Sequence, residues 1–437
     1  MERNDINARV WRLAGPIIVS NLSVPLLGLV DTAVMGHLPE ARYLGGVAVG
    51  AMVFTFIFWG FGFLRMGTGG LTAQAFGADD GDEVLTCLAR AAVIAIPAAL
   101  ALIVLQAPIA WIAFSIVEAS PAVETLAEDY FFIRIWGAPA TLMNFALLGW
   151  FIGVQNTRAV LYHQLCLNGV NIVLDLLFVL SFGWGVEGVA AATAIADLTA
   201  VVFGLALARP LLARVGGRFD RDSILDSTRL RRTMALNLDI FIRTICLVFA
   251  FAYFTARGAA FGDVVLAANA VLLNFQTFMA HALDGFAHAA EALGGRAFGA
   301  KDRGDFRLAV RTSFKWALSV AVSFALAYLI AGGSIVDGLT SIDGVRAIAR
   351  DYLVWSVFMP LVAVFPFVFD GIFLGATAGR MMRNAMIVSL GVYLVTCFGL
   401  VPLFGNHGLW AALTVFMGMR GVTLGLRYPR LEASVGA

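Results

Sequence analysis

Charged residues are scarce in this chain of 437 residues, since Asp, Glu, Lys and Arg make up only 14% of it and hydrophobic residues 60%. A soluble protein of this composition would have too few polar side chains to cover its surface. The mean hydropathy of +0.86 agrees with that exclusion. The formal net charge of +1 is too small to favour nucleic acid as a partner, and none is expected.

Cysteine is also rare. The four residues Cys87, Cys166, Cys246 and Cys397 lie in apolar stretches without C-x-x-C spacing, which argues against a disulfide framework or a metal site. The P-loop motif G-x-x-x-x-G-K-[ST] is absent, so ATP is not expected to drive this protein directly. Without a nucleophile–base set or a cofactor motif, we expect neither an enzyme nor a bound cofactor. Any uphill work would then depend on an ion gradient.

Long apolar runs, by contrast, fill the chain. A helix that crosses a bilayer needs about 20 mostly apolar residues. Twelve segments meet this requirement: 13–36, 44–68, 86–112, 126–152, 160–183, 187–208, 234–256, 264–290, 310–333, 347–375, 384–404 and 407–426. The first run lacks a small-residue cleavage site and is expected to remain as a membrane span. The predicted fold class is therefore an all-α integral membrane protein with twelve transmembrane helices.

The two halves of the chain repeat each other. Gly77 of an Ala-Phe-Gly-Ala sequence recurs as Gly299, and the same separation, which we call the repeat offset, relates Gly149 to Gly371. Two copies of a six-span unit predict two lobes, and the even number of spans makes them parallel, related by a pseudo-twofold axis along the membrane normal. The expected domains are an N-lobe of helices 1–6 over 1–208, a cytoplasmic linker over 209–233 and a C-lobe of helices 7–12 over 234–437.

Basic residues in the loops predict the orientation, because Lys and Arg collect on the cytoplasmic side. The linker alone carries seven arginines. With the linker inside the cell, both termini are cytoplasmic. The loop over 76–85 is an exception to the pattern, because its four acidic residues, Asp79, Asp80, Asp82 and Glu83, fall on the predicted inner side.

Ionisable residues inside the spans are the first candidates for function, because an unpaired charge at the centre of a bilayer costs about 3 kcal/mol or more. Asp31 lies on span 1 and Asp175 on span 5, and neither has Lys or Arg three or four residues away. The repeat offset maps them to Tyr253 and Cys397, so these acids are absent from the second repeat. They are predicted to serve a function that belongs to the first half.

Other polar residues accompany these acids. Asn171 precedes Asp175 by four residues, on the same helix face, while Tyr130 and Thr193 lie on spans 4 and 6. Asn171 has a structural alternative, a hydrogen bond to a neighbouring helix. Tyr130 has another, a position in the aromatic belt at the interface. Within a membrane span a carboxylate has no structural advantage over asparagine. A functional role is therefore favoured for Asp31 and Asp175.

The second half has its own polar set. Asp239 and Arg243 stand four residues apart on span 7, in the order that favours a self-neutralising pair. Asp284, His288 and Glu291 recur at helical spacing on span 8, which suits the wall of a wet cavity. A metal site is the alternative for these three residues.

Longer stretches of the chain form recognisable motifs. They are Pro16-x8-Pro25-x5-Asp31-Thr-Ala-Val-Met-Gly36, Leu71-Thr-Ala-Gln-Ala-Phe-Gly77, Asn171-x3-Asp175, Ile242-Arg243-Thr244, Asp284-Gly285-Phe286-Ala287, Glu291-Ala292-Leu293 and Asp370-Gly371-Ile372-Phe373-Leu374-Gly375. In these motifs, which extend over nearly the whole sequence, the chain resembles the multidrug and toxic compound extrusion (MATE) transporters, and in particular their DinF-like bacterial branch.

The resemblance implies a V-shaped pair of six-helix lobes that exports organic, often cationic, compounds by alternating access in exchange for H+ or Na+. It also implies a multi-pass protein of the bacterial cytoplasmic (inner) membrane, expected to be a monomer in the lipid bilayer, with a helix-1 bend at Pro16. The cation-coupling residues implied by the matching motifs and spacing are Asp31, Tyr130, Asn171, Asp175 and Thr193.

Candidates for substrate binding are Asp284, Asp370 and Arg243, with the acids as counter-charges to a cationic drug beside Phe, Met and Trp side chains. We favour H+ over Na+ as the coupling ion, since a buried carboxylate carries a proton without a strict ligand geometry. The alternative function is a lipid-linked sugar flippase of the wider superfamily, which would need more Arg and Lys in its cavity to hold pyrophosphate.

Overall fold

The computed structural model describes residues 3–36, 41–117 and 119–436, without the side chains of 3–4, 24–36 and 41. Within these ranges the chain is almost entirely helical. The α-helices are α1 (Arg3–Gly36), α2 (Ala41–Gly60), α3 (Phe63–Gly77), α4 (Gly81–Val104), α5 (Gln106–Ile116), α6 (Pro121–Arg134), α7 (Ala138–Gly153), α8 (Thr157–Asp175), α9 (Gly185–Val215), α10 (Arg221–Ile224), α11 (Ser227–Ala259), α12 (Asp263–Gly299), α13 (Arg303–Leu339), α14 (Asp343–Gly375), α15 (Gly379–Gly425) and α16 (Tyr428–Ala433).

Ten helical stretches of the described residues are long and apolar enough to cross a membrane. The last of them contains two predicted spans, which meet where Gly405 breaks the helical backbone of α15 with a φ of 55°. Helix α1 covers the first predicted span with 34 residues. All twelve predicted spans therefore lie on helices, which confirms the predicted all-α membrane class.

The helices pack into two compact units. One runs from Val19 to Met234, and the other combines the residues up to Ile18 with those from Ala235 onward. In the first unit, α2 packs on α6, α3 on α7 and α8 on α9. In the second unit, α14 packs on α12, α13 and α15. The predicted linker over 209–233 belongs to the first of these units.

The internal repeat is visible in the backbone. The non-glycine residues with positive φ in the described part of the chain are Asp79, Gln155, Lys301 and Thr377, with φ values of 55°, 61°, 58° and 51°. Each lies two residues beyond the end of a helix, where a left-handed residue terminates the hydrogen bonding. The repeat offset relates Asp79 to Lys301 and Gln155 to Thr377. Both halves therefore use the same helix ends, although the residue types differ.

Helix packing repeats in the same way. A Cβ atom on Gly149 would overlap the backbone oxygen of Arg65, and a Cβ atom on Gly371 would overlap that of Ala287. The repeat offset separates the two glycines and also the two residues that they meet, so α7 packs on α3 as α14 packs on α12. Small residues allow membrane helices to approach closely. The repeat predicts that these two glycines are equivalent, and the close backbone contacts explain why a glycine stands at both positions.

The linker is folded against the start of α4. Asp82 accepts a hydrogen bond from the backbone N–H of Arg218 at 2.7 Å. Glu83 forms ion pairs with Arg90 at 2.8 Å and with Arg229 at 2.6 Å. Acidic residues at the start of α4 thus neutralise arginines of α4 and of the linker. This pairing gives a physical reason for acids on the side of the membrane that the basic residues mark as cytoplasmic.

A short helix within the linker has its own cap. The Asp220 carboxylate accepts hydrogen bonds from the Ser223 hydroxyl at 2.7 Å and from the backbone N–H groups of Asp222 and Ser223. These bonds lower the pKa of Asp220, because they stabilise the charged carboxylate. The linker is therefore an ordered segment with defined contacts.

The glycine contacts predict a clear difference between two substitutions in the second unit. Gly371→Ala forces α14 away from α12, and such overpacking typically destabilises a protein by about 1–3 kcal/mol or more. Gly391→Ala on α15 is the matched control, because a Cβ atom there meets nothing within 4 Å. It is expected to leave stability unchanged or to raise it by up to about 1 kcal/mol through helix propensity. Thermal unfolding in detergent measures both variants, and equal melting temperatures would contradict the packing argument.

Candidate functional site

Three of the predicted coupling residues meet between α8 and α9. The side chain of Asp175 is fully buried and that of Asn171 is 1% exposed. The Asn171 amide lies 2.9 Å from Asp175 Oδ2 and 3.1 Å from Thr193 Oγ1. Asp175 is also the last residue of α8, and a π-helical turn, Leu176–Ser181, follows it at once. Such turns are frequent at functional sites.

The Asn171 amide satisfies both of its neighbours in one orientation. When its nitrogen faces the carboxylate, it donates to Asp175 while its oxygen accepts from Thr193. In this orientation the Asp175 carboxylate accepts a hydrogen bond from a neutral amide donor.

Tyr130 is buried in the aromatic core of the same unit. It lies on α6, with its ring centroid 6.1 Å from that of Phe54 on α2. Gly50 on α2 makes room for the ring, since a Cβ atom there would lie 2.5 Å from Cδ1 of Tyr130. Tyr130 is therefore a buried residue of the first unit, and its role in coupling stays a prediction.

Two further predicted residues lie on α1. The side chain of Asp31 lies outside the described residues, so its predicted role stays a prediction. Pro16 is half-buried within the continuous helix α1. The division of the chain into two units falls between Ile18 and Val19, just beyond this proline.

A second buried polar group lies one helical turn from the first, and the sequence did not single it out. Arg134 follows Tyr130 by four residues on α6, and Asp197 follows Thr193 by four residues on α9. The Arg134 guanidinium and the Asp197 carboxylate form an ion pair at 2.7 Å. The guanidinium also lies 5.6 Å and 5.4 Å from the ring centroids of Phe54 and Phe58. The only signal in the sequence was the four-residue spacing from two candidate residues.

Hydrogen bonds extend this ion pair to α7 and α8. Thr141 donates to Asp197 Oδ2 at 2.7 Å, and the Asn144 amide nitrogen donates to Asp197 Oδ1 at 3.2 Å. Nε2 of His163, which is fully buried, lies 3.0 Å from the Asn144 amide oxygen. Because that oxygen can only accept, His163 carries its proton on Nε2. We call Arg134, Thr141, Asn144, His163 and Asp197 the Asp197 network.

The second unit contains a different charge cluster. The guanidinium groups of Arg243 on α11 and Arg420 on α15 both bind Oδ2 of Asp370 on α14, Arg420 at 2.8 Å. All three side chains are buried. Of the three substrate-binding candidates, Arg243 and Asp370 are therefore in direct contact, and Asp284 lies on α12, which packs against α14.

The predicted self-neutralising pair of Asp239 and Arg243 is wrong. Asp239 instead binds Arg383 of α15 at 2.5 Å, and Arg243 binds Asp370 of α14. Asp239 and Arg243 lie on one face of α11, but each of them pairs with a residue of a neighbouring helix instead. The spacing within α11 alone does not reveal these partners.

Two members of the predicted stripe on α12 are in close contact. His288 Nδ1 lies 3.0 Å from Glu291 Oε2, and both residues are buried. In the part of the chain that the structure describes, no group of three or more His, Cys, Asp or Glu side chains is placed to hold a metal ion. The geometry therefore gives no support to the metal alternative for this stripe.

Comparison with known proteins identifies the family. The family model described as MatE matches residues 16–177 and again residues 239–398. The chain belongs to the MatE family. The two matches begin at residues 16 and 239, so their separation nearly equals the repeat offset. The MATE chain thus contains the family unit twice, as predicted from its glycines.

Relatives and solved structures agree with this result. The chain is 42% identical to the DNA damage-inducible protein F of Escherichia coli over 415 residues, 95% of this chain and 90% of the relative. It is 28% identical over 440 residues to the probable multidrug resistance protein NorM of Deinococcus radiodurans, covering 94% of this chain and 93% of that one. Its fold matches the Vibrio cholerae MATE transporter VcmN in the bent form with a TM-score of 0.85 at 20% identity, over 99% of this chain and 98% of that one. A MOP superfamily transporter from Pyrococcus furiosus gives a TM-score of 0.86 at 18% identity, over 98% and 96% of the two chains.

These findings confirm the predicted fold class and the DinF-like branch. The protein is a multi-pass membrane transporter of the multidrug and toxic compound efflux family, and small molecules are its substrates. The predicted two six-helix lobes are the fold of its MATE neighbours.

The charge cluster of the second unit predicts a large loss of stability on Asp370→Asn. This substitution leaves two buried guanidinium groups without their shared carboxylate, and breaking a buried ion pair costs about 3–5 kcal/mol. The control is Asp337→Asn, because Asp337 binds Arg350 at 2.6 Å with both side chains largely exposed, 40% and 51%. Exposed pairs contribute about 1 kcal/mol or less. Thermal unfolding in detergent compares the two variants, and similar losses would show that Asp370 does not stabilise the unit.

Proposed function

We propose that this protein is a secondary active antiporter that exports organic, often cationic, compounds in exchange for H+ by alternating access. The proposal rests on its membership of the MATE family and on one observation, the fully buried Asp175 held by the Asn171 amide beside Thr193. Asp175, together with Asp31, Tyr130, Asn171 and Thr193, forms the proposed coupling site.

Burial supports the choice of a proton. A carboxylate removed from water is less stable as an anion, so proton uptake becomes easier. An amide such as that of Asn171 can pair with either charge state, because its nitrogen donates to a carboxylate and its oxygen accepts from a protonated carboxyl. A proton thus enters and leaves this cluster without a large rearrangement, whereas Na+ needs several oxygen ligands at fixed distances. We therefore propose H+ as the coupling ion, with Na+ as the alternative.

Helix α1 is the proposed link between coupling and cargo. Proline inside a helix removes one backbone hydrogen bond and favours a kink. Pro16 stands close to the point where the residues of α1 divide between the two units, which supports a bend there. We propose that proton uptake by Asp31 and Asp175 changes this bend and weakens drug binding. Asp284 is the proposed counter-charge for a cationic substrate, while Asp370 is already shared by two guanidinium groups.

The proposed setting is the cytoplasmic (inner) membrane of a bacterium, with both termini in the cytoplasm and the protein active as a monomer. The 42% identity to an Escherichia coli protein supports the bacterial membrane. The arginine-rich linker supports the orientation, since basic loops stay inside.

Export by proteoliposomes tests the proposal. With ethidium, a planar organic cation, as the probe and an imposed pH gradient, the wild-type protein is expected to export the dye in potassium buffer free of sodium. Asp175→Asn and Asp31→Asn are expected to reduce export to the level of protein-free liposomes, because neither amide binds the coupling proton. Asp129→Asn is the matched control, because Asp129 is exposed at the neighbouring position to Tyr130.

Two results would contradict the assignment. Export by Asp175→Asn at the wild-type rate against a pH gradient would exclude this carboxyl as a coupling group. A strict requirement for sodium, with no movement of protons, would replace H+ by Na+ as the coupling ion.

A further inference from the structure

We propose that the ion pair between Arg134 and Asp197 sets the pH at which the coupling site changes its protonation state. This inference rests on the proposed proton coupling. Arg134 and Asp197 lie outside the coupling cluster and act on it through their charges. Each neutralises the other, so that the neighbouring cluster experiences almost no net charge from the pair.

The Arg134–Asp197 ion pair lies on the same two helices as Tyr130 and Thr193 of the coupling site. Asp197 stands one helical turn from Thr193 on α9, and Arg134 stands one turn from Tyr130 on α6. Thr193 binds Asn171, which in turn lies 2.9 Å from Asp175. Two short side-chain contacts and one turn of helix therefore separate the two carboxylates, a distance of about 10 Å.

Hydrogen bonds and an ion pair fix the position of the Asp197 carboxylate. Its carboxylate receives Arg134 at 2.7 Å, Thr141 at 2.7 Å and Asn144 at 3.2 Å. His163 fixes the Asn144 amide in the donating orientation by occupying its oxygen. A carboxylate that accepts from a guanidinium and two neutral donors is strongly stabilised as an anion. Asp197 is thus suited to balance a charge, whereas Asp175 is suited to change its own.

Arg134 is equally restricted in position. Its guanidinium lies against the rings of Phe54 and Phe58, and a Cβ atom on Gly137 would come within 2.6 Å of its Nη1 atom. The glycine leaves the space that the guanidinium fills. Because the side chain is 7% exposed, water screens its charge poorly. Any imbalance between Arg134 and Asp197 is therefore felt at Asp175.

Other titratable groups also face this region from the helices that pack around α8 and α9. The buried ones are Tyr130 on α6, His163 on α8 itself, and Cys87 and Arg90 on α4, while α7 presents the neutral Thr141 and Asn144. Glu83 neutralises Arg90 in an ion pair at 2.8 Å. Asp31 on α1 is a proposed coupling residue whose side chain lies outside the described residues. The Arg134 and Asp197 pair stands one helical turn from Tyr130 and Thr193, two residues of the proposed coupling site.

The test is the pH dependence of ethidium binding to purified protein in detergent, measured by fluorescence polarisation between about pH 5 and pH 9. In the wild-type protein, affinity is expected to fall as pH drops through a midpoint. Asp197→Asn leaves the positive charge of Arg134 unbalanced, which stabilises the Asp175 anion and moves the midpoint to lower pH. Arg134→Gln leaves the negative charge of Asp197 and moves the midpoint to higher pH. Each shift is expected to be about one pH unit, for a charge about 10 Å away at an effective dielectric constant of about 20.

The double variant Arg134→Gln with Asp197→Asn contains no unbalanced charge and is expected to return to the wild-type midpoint. Two controls separate charge from structure. His163→Gln keeps a donor for Asn144 without a change of charge, and Arg229→Gln removes an arginine from an exposed ion pair of the same unit. Both are expected to keep the wild-type midpoint.

The outcomes are distinguishable. Shifts in opposite directions support the inference, while shifts in the same direction, or none, overturn it and leave the proposed function standing. Wild-type affinity that is flat in pH overturns the proposed proton coupling and this inference with it. If a single variant fails to fold, the comparison is made between Arg134→Lys with Asp197→Asn and Arg134→Gln with Asp197→Asn, which differ by one positive charge. The first is expected to have the lower midpoint, and equal midpoints would overturn the inference.

Discussion

A charge removed from water must be neutralised inside the protein, and this constraint organises both halves of the transporter. Each unit contains a buried ion pair that joins the fourth and sixth spans of its repeat. In the first unit, Arg134 of α6 binds Asp197 of α9. In the second unit, Asp370 of α14 binds Arg420 of α15, with Arg243 as a further partner. The fourth span carries the arginine in the first half and the aspartate in the second half, and the sixth span carries the opposite charge. Both halves therefore have an ion pair between these spans, but the residues that form it differ.

The two halves share the backbone features that determine packing, but they differ in their buried polar side chains. The scaffold is the set of helix ends and glycine contacts that recur at the repeat offset, such as Gly149 with Gly371 and Gln155 with Thr377. These positions depend on backbone geometry, which two copies of one unit must share in order to pack alike. The buried side chains are free to diverge, because any complementary pair satisfies the same need for neutrality. Function therefore resides in the polar residues that the two halves do not share.

The sequence predicted the features that depend on one helix or on the repeat, and missed those that depend on neighbouring helices. Hydrophobic runs and the offset from Gly77 to Gly299 were enough for the spans and the two matching units. The pairing of Asp239 with Arg243 was wrong because four-residue spacing within α11 says nothing about Arg383 on α15. Asp197 was not singled out from the sequence, since its partner Arg134 is distant in the chain and becomes adjacent only when α6 packs on α9.

Three of the buried acids, Asp175, Asp197 and Asp370, differ in the groups that surround them, and this difference suits them to different tasks. Asp197 and Asp370 bind guanidinium groups, which carry their charge at any physiological pH, so a proton on either acid would leave a buried cation unbalanced. Asp175 contacts an amide, a group that can pair with a neutral or a charged carboxyl by presenting its oxygen or its nitrogen. Of these three acids, Asp175 is therefore the one that suits the proposed proton coupling, while the Asp197 carboxylate of the same unit balances the charge of Arg134.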